Sequence, residues 1–365
     1  MKKKILTMLL AAVTAIGMLA GCGAKKTDSV PEKTDSAPEK TGEEDTPSAA
    51  EELTTLRVQS MPNFNGVLLS YIVDQGWAAE EGLNLEVELY ANGAAANEAL
   101  GAELWDVGFQ GPAYVFGAVN NEAKIIGTSS NTGGDRLFVR GDSRILDNKG
   151  SNPTYPEVYG TAEDLKGVTI LYTAGTSTHQ LALSYLEAMG LSADDVKMVP
   201  MDYQTCVQTF ALGEGDVVAL PTPWSTEVTD EYGWQQVAEL VDFCSTNTDV
   251  ICSADAYENM KPELVKFLKL CYRAADELEG DLNLKKEQMK KFYKENALEV
   301  TDETIDQEAE LRVFVTSKEQ KTMEYGTAEY AAADFYAQIG QIEAKQAEEF
   351  KTTLVKADLW EEALK

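Results

Sequence analysis

From Leu56 onward, short apolar runs of strand character alternate with segments of helical period, and this alternation most restricts the folds open to the chain. Leu56-Arg57-Val58-Gln59 reads as a strand. A helical segment follows from about Gly66, with Val67, Leu68, Tyr71 and Ile72 on one face and Gly82 near its end. Leu83, Leu85, Val87 and Leu89 alternate with Asn84, Glu86 and Glu88, the period of a half-buried strand. The spacing then predicts a helix at about 94–102, a strand at Trp105–Phe109, a helix at about 112–120 and a strand around Ile125 and Ile126. After a polar, Pro- and Tyr-containing stretch at roughly 142–160 the order repeats. Val168–Tyr172 is a strand, Ser177–Met189 a helix closed by Gly190, Val196–Val199 a strand, Tyr203–Leu212 a helix and Val217–Leu220 a strand. Ala99-Leu100 before Trp105-Asp106-Val107 is echoed by Ala211-Leu212 before Val217-Val218-Ala219. Beyond about residue 255 the pattern is helical, apart from an apolar stretch at Val313–Val315. Strands alternating with helices fold as α/β structure with mainly parallel sheets. Two such series predict two lobes of similar build.

The N-terminal segment is of another kind. Lys2, Lys3 and Lys4 precede an apolar run from Ile5 to Ala20, which reads as a secretory signal over residues 1–21. The run is shorter than the roughly 20 residues a membrane span needs. Residues 23–52 are rich in Lys, Glu, Asp, Ser, Thr and Pro. They hold a near-repeat of seven, Thr27–Lys33 followed by Thr34–Lys40, and the proline in each copy excludes a coiled coil. This composition predicts a disordered tether able to hold a folded body some tens of ångströms from a membrane.

The formal charge is −30, and about −33 once the three lysines of the signal are removed. Such a surface repels nucleic acid and anionic headgroups. His179 is the only histidine, which excludes multi-histidine zinc sites, and the cysteines at 206, 244, 252 and 271 have no metal-ligand spacing. Neither a metal nor a cofactor is expected. Cys244 and Cys252 either pair in an exported protein or, the preferred reading, remain buried thiols alongside the other two.

Function concentrates where strands give way to helices. Gly175-Thr176-Ser177-Thr178-His179 lies at such a junction, where unpaired N–H groups and about half a positive charge offer an anion site. Thr176 or Ser177 acting only as a cap explains the same residues. Met61–Gly66, Asn92-Gly93 and Gln110-Gly111-Pro112 stand at three further junctions. In open α/β sheets the carboxyl ends of the strands form the ligand crevice, so these loops suggest one shared pocket. Turn chemistry accounts for each taken singly.

Two resemblances sharpen this reading. Leu19-Ala20-Gly21-Cys22 resembles the lipobox of bacterial lipoproteins, which implies acylation of Cys22 after cleavage. The body resembles the substrate-binding proteins of the nitrate, sulfonate and taurine class of ABC importers. The resemblance rests on Gly76, Glu81–Val87, Ala99-Leu100, Asp106–Phe109, Gly111-Pro112-Ala113, Asp164–Val168, Gly175–His179, Gly190–Ser192 with Asp195-Val196, and Pro223-Trp224. Glu103 and Val218 stand where members of that family usually carry Gly and Asp.

That family implies a periplasmic-binding-protein type II fold, two α/β lobes that close on a ligand, with a helical C-terminal region. It places Asn63, Phe64, Asn92, Gln110, Gly111, Asn131, Thr132 and Thr176, Ser177, Thr178, His179 around the ligand, with Trp224 and Asp249 on the opposite wall. Trp224 in the core, and Asp249 as a turn cap or an arginine partner, are the rival readings. The expected division is a signal at 1–21, an anchor and tether at 22–52, a first lobe at 53–140, a second at 141–245 and a return to the first at 246–365.

The function implied is an extracytoplasmic, lipid-anchored monomer that delivers a small organic anion, sulfonate- or taurine-like, to an ABC permease and its ATPase. Diffuse surface charge is screened over about 8 Å. Three or four charge-assisted hydrogen bonds of about 1.5–3 kcal/mol reach the roughly 8 kcal/mol of micromolar binding. An acidic surface therefore does not exclude an anionic cargo. An aromatic heterocycle such as a thiamine-pyrimidine precursor is the alternative cargo. An enzyme and a non-transport interaction module are the alternatives of other classes. Against the enzyme, the chain carries no P-loop or nucleophile elbow, and His179 does not face Ser177 across a helix start.

Overall fold

The computed structural model describes residues 53–365 apart from Ala113, Thr132 and Ser245, so the signal, the tether and Cys22 lie outside the described residues. Among the described residues, ten strands form two five-stranded sheets. β1 (Thr54–Ser60), β2 (Leu83–Leu89), β3 (Val107–Gln110), β4 (Lys124–Asn131) and β10 (Asn247–Cys252) make the first, in the order β2-β1-β3-β10-β4. β5 (Arg136–Val139), β6 (Thr169–Tyr172), β7 (Lys197–Pro200), β8 (Val217–Leu220) and β9 (Gln235–Glu239) make the second, in the order β7-β6-β8-β5-β9.

β1 runs parallel to β2 and β3, and β6 runs parallel to β7 and β8. β10 is antiparallel to β3 and β4, and β5 is antiparallel to β8 and β9. These two antiparallel strands are the ones the chain enters on crossing from the other sheet. The first crossing falls between β4 and β5, so residues 136–139 belong to the second sheet, ahead of the division expected at 140. The return falls between β9 and β10.

The second sheet is covered on both faces. Leu137, Ile170, Val217 and Ala219 pack with Leu181 and Tyr185 on one side. Phe138, Leu171, Val218 and Leu220 pack with Phe210 on the other. This explains the unbroken apolar run Val217–Leu220, since a strand buried on both faces shows no alternation. In the first sheet, Leu56, Val58, Val107, Phe109 and Val250 pack against the helices Phe64–Gln75 and Lys261–Gly280. β2 departs from its expected alternation: Leu83 is buried but Val87 is exposed, because the strand is outermost in its sheet and has a neighbour on one side only.

The C-terminal helices stay with the first sheet. Ala332, Tyr336 and Phe350 join its core, and Phe314, from the apolar stretch, bridges to Ser130 and stacks on Phe64 at 4.3 Å. The 148–160 stretch packs against the outer edge of the second sheet. Tyr159 N donates to the Val237 carbonyl, and Tyr155 lies edge-on to Phe243. All four described cysteines are free thiols. Cys206, Cys252 and Cys271 are buried, while Cys244 accepts from Gln180 Nε2 at 3.6 Å.

Candidate ligand-binding site

The starts of helices 64–75, 93–101, 177–188 and 203–211 converge on a cavity between the two lobes. Its wall contains Met61, Asn63, Asn65, Gly93, Gln110, Gly111 and Thr248 from the first lobe and Gly175, Thr176, Ser177, Tyr203 and Pro221 from the second, with Arg312. The enclosed volume is about 20 Å³, room for one water molecule.

Local chemistry fixes these starts. Asn63 Oδ1 accepts from the Asn65 N–H at 3.1 Å and caps helix 64–75. Asn92 Oδ1 accepts from the Ala95 N–H at 2.9 Å and caps helix 93–101. Thr176 stands at the start of helix 177–188 without capping it, and its hydroxyl donates to the Thr173 carbonyl at 2.7 Å. The chain holds 61 acidic residues, yet none lies in the first turn of helices 64–75, 93–101 or 177–188. Their positive ends are therefore not neutralised from within.

Arg312 supplies a full charge. It follows helix 302–311, is 5% exposed, and sets its guanidinium 5.0 Å from the Phe64 ring centre and 3.4 Å from Asn65 Oδ1. Asp135 Oδ1 lies 3.9 Å from its Nη1. Burial pushes the Asp135 carboxyl up to about 6 against the opposing pull of Arg312 and a hydrogen bond from Ser177. Arg312 Nε and Gln110 Nε2 are buried donors without a hydrogen-bond partner among the described residues. A group that accepts hydrogen bonds and carries negative charge suits both.

Of the residues expected around a ligand, Asn63, Gln110, Gly111, Thr176 and Ser177 line the cavity. Asn92 does not line it; its side chain is spent on the cap, and Gly93 takes the position. Phe64 lies in the core, where it backs Arg312. Asn131 ties the first crossing to the chain around Arg312, with Nδ2 donating to the Leu311 carbonyl and Oδ1 accepting from Val313 N–H. Thr132 is outside the described residues.

Thr178 is buried behind Thr176, their hydroxyls 2.8 Å apart. His179 turns into the second lobe against Tyr172, and burial lowers it to about 4, which keeps it neutral. Trp224 packs behind Tyr203 at 4.9 Å, so Tyr203 is the aromatic face the cavity meets. Asp249 does not line the cavity: Thr248 takes the cleft side, while Asp249, beyond a register irregularity in β10, lies among Tyr114, Thr128 and Glu329. Burial and the neighbouring Glu329 hold the Asp249 carboxyl well above the usual range.

Arg312, Asn65, Tyr203 and Thr248 were not anticipated as site residues. Arg312 carried a faint signal, a lone cation inside the apolar run Leu311–Val315.

Two α/β lobes, linked by two crossings and closing on a polar cavity walled by helix starts of both, define a periplasmic binding fold. The chain belongs to the NMT1-like family, whose model matches residues 49–289. It is 33% identical over 294 residues, 80% of this chain and 84% of the relative, to a protein of Brachyspira hyodysenteriae named as an ABC transporter periplasmic binding protein. The alkanesulfonate-binding protein SsuA from Xanthomonas axonopodis, bound to MOPS, superposes with a TM-score of 0.65 at 17% identity, over 84% of this chain and 99% of that one. The nitrate-binding protein NrtA from Synechocystis gives 0.70 at 14% identity, over 86% and 89%. At these identities the likeness to the solved structures is one of fold.

Proposed function

We infer that the cargo of this chain, the substrate-binding component of an ABC importer, is a small organic anion of the sulfonate kind held at Arg312. The observation that carries the anion reading is the buried guanidinium among helix starts whose first turns hold no acid, in a chain otherwise crowded with acids. Arg312 Nε, Gln110 Nε2 and the N–H groups at the helix starts supply the three or four directed donors that micromolar binding requires. Two structural neighbours are an alkanesulfonate-binding and a nitrate-binding protein, and both of those ligands are anions, which supports the same reading. The cavity is too small for any such molecule, so cargo enters with the lobes apart and is retained as they approach.

The protein works outside the cytoplasmic membrane. There, acylation of Cys22 and the tether of residues 23–52 keep a monomeric receptor within reach of the permease and its ATPase. The role is binding rather than turnover, since the cavity wall presents amides, hydroxyls and one guanidinium while His179 faces elsewhere.

Isothermal calorimetry against ethanesulfonate, taurine, nitrate and a hydroxymethylpyrimidine tests the cargo. Micromolar heats from a sulfonate are expected. Heat from the pyrimidine alone would transfer the site to an aromatic ligand on Tyr203. Mass spectrometry of the membrane fraction tests the anchor, with Cys22→Ser expected to release the protein from the membrane.

A further inference from the structure

The two lobes meet backbone to backbone at a pair of glycines. Gly93 opens helix 93–101 on the first lobe, and Gly175 stands just before helix 177–188 on the second. A Cβ on Gly93 would fall 1.8 Å from the Gly175 carbonyl oxygen, 2.7 Å from its carbonyl carbon and 3.2 Å from its Cα. These three nearest atoms all belong to the opposite lobe. A Cβ on Gly175 would meet Ala94 N at 2.6 Å and the Gly93 carbonyl carbon at 2.8 Å. Backbone rests on backbone, and neither side has a flexible side chain that can yield.

The two glycines differ in what else they do. Gly175 has φ of +69°, a left-handed conformation that suits glycine on local grounds. Gly93 is not among the left-handed glycines, and within its own lobe it occupies a first helical turn where alanine is the better helix former. Local structure thus gives no reason for glycine at 93; the opposing lobe does.

We propose that Gly93 and Gly175 are the closure stop of the receptor. Their backbone contact sets how small the cleft becomes when the lobes shut with no cargo between them. A methyl at position 93 forces the contact from 1.8 Å out to at least 3.0 Å, since Cβ atoms do not approach backbone more closely.

The test is Gly93→Ala, read by the distance between spin labels on Glu98→Cys and Leu212→Cys in a Cys244→Ser background. Both label sites are exposed, one on each lobe. Measurements are made without ligand and with saturating ethanesulfonate. The shortest distance reached by Gly93→Ala is expected to exceed the shortest reached by the unsubstituted pair by more than about 1 Å. Equal shortest distances overturn the proposal. Melting without ligand is expected to be unchanged or higher, and a fall of several degrees would show that the glycine serves the lobe's own fold and overturn it as well.

If no sulfonate binds the unsubstituted protein, the anion reading falls, while the label distances still decide the closure stop.

Discussion

Lys285 Nζ donates to the main-chain carbonyl of Arg312 at 2.7 Å, so one buried cation holds the backbone of another. The same ammonium donates to the Ala309 carbonyl at 2.9 Å and pairs with Glu279 Oε1 at 2.7 Å. Glu279 Oε1 in turn accepts from the Phe314 N–H at 2.8 Å. The chain is thus clamped on both sides of Arg312 by a lysine that does not line the cavity. Lys285→Met should lose about 3 kcal/mol of stability, because it leaves the Glu279 carboxylate without its partner. It should also weaken ethanesulfonate binding about tenfold, or roughly 1.4 kcal/mol. Adding Glu279→Gln should recover most of the stability and little of the affinity. Urea unfolding and calorimetry on the three proteins separate the two effects, and affinity that returns together with stability would refute the clamp.

Removal of the guanidinium should be more severe. Two charge-assisted hydrogen bonds are worth about 3 kcal/mol or more, so Arg312→Gln should lower sulfonate affinity at least about a hundredfold. Arg312→Lys should recover only part of it. A lysine keeps the charge but lacks the flat fork that lies against the Phe64 ring and faces Asn65. Titration calorimetry of both variants checks the order.

Asp135 makes capture depend on pH. Its folded pKa of about 6 lies above the ordinary carboxylate value, so the folded state holds the proton more tightly than the unfolded chain. The associated stabilisation is complete below about pH 4 and is lost as pH rises through 6, a change on the order of 3 kcal/mol. Asp135→Asn should lack that slope in urea unfolding between pH 4 and 7. Ethanesulfonate stays ionised throughout, and an ionised Asp135 competes with it for Arg312. Affinity should therefore rise as pH falls from 7.5 to 5 in the unsubstituted protein and rise less steeply in Asp135→Asn, where only the buried Glu308 still acts as a raised carboxyl on Arg312. The other charged groups acting on this site are Arg136, Lys285 and Glu308, whose fully buried carboxyl is pushed up by burial; Tyr203 does not titrate in this window and His179 is already neutral.

The parts of this site legible in the sequence are those with local causes. Asn63, Asn92 and the Gly175–Ser177 turn announce themselves because a cap or a turn needs a particular residue at a particular offset from a helix. Val217–Leu220 and Ser177–Ala188 were legible because burial on one or both faces sets the apolar period. Arg312 had no such cause. It reaches the cavity only because helix 302–311 and the following residues pack between the crossing at Asn131 and the buried Lys285, contacts that span 180 and 27 residues of sequence. Gly93 was seen as part of a turn, but its reason lies 82 residues away at Gly175. Asp249 is placed near the ligand by the family pattern alone, and periodicity offers no check on its face in a strand whose residues 248–252 are all buried.

Asp249 gives the last prediction, since its two readings differ in outcome. It is fully buried on the first sheet, and Glu329, also buried, acts on it together with Tyr114 and Thr128. Burial raises both carboxyls, and the Glu329 charge raises Asp249 further, so the pair keeps a proton that each residue would lose in the unfolded chain. The folded state therefore binds more protons, and the pair costs stability increasingly as pH rises above the ordinary carboxylate range. Asp249→Asn removes one of the two charges while keeping the shape. It should unfold at higher urea than the unsubstituted protein at pH 8, with the advantage shrinking or reversing at pH 5. Because the side chain does not line the cavity, ethanesulfonate affinity should stay within about threefold, less than 0.7 kcal/mol. A loss of affinity beyond tenfold would return Asp249 to the ligand, and parallel pH profiles for the two proteins would break the proton-sharing pair.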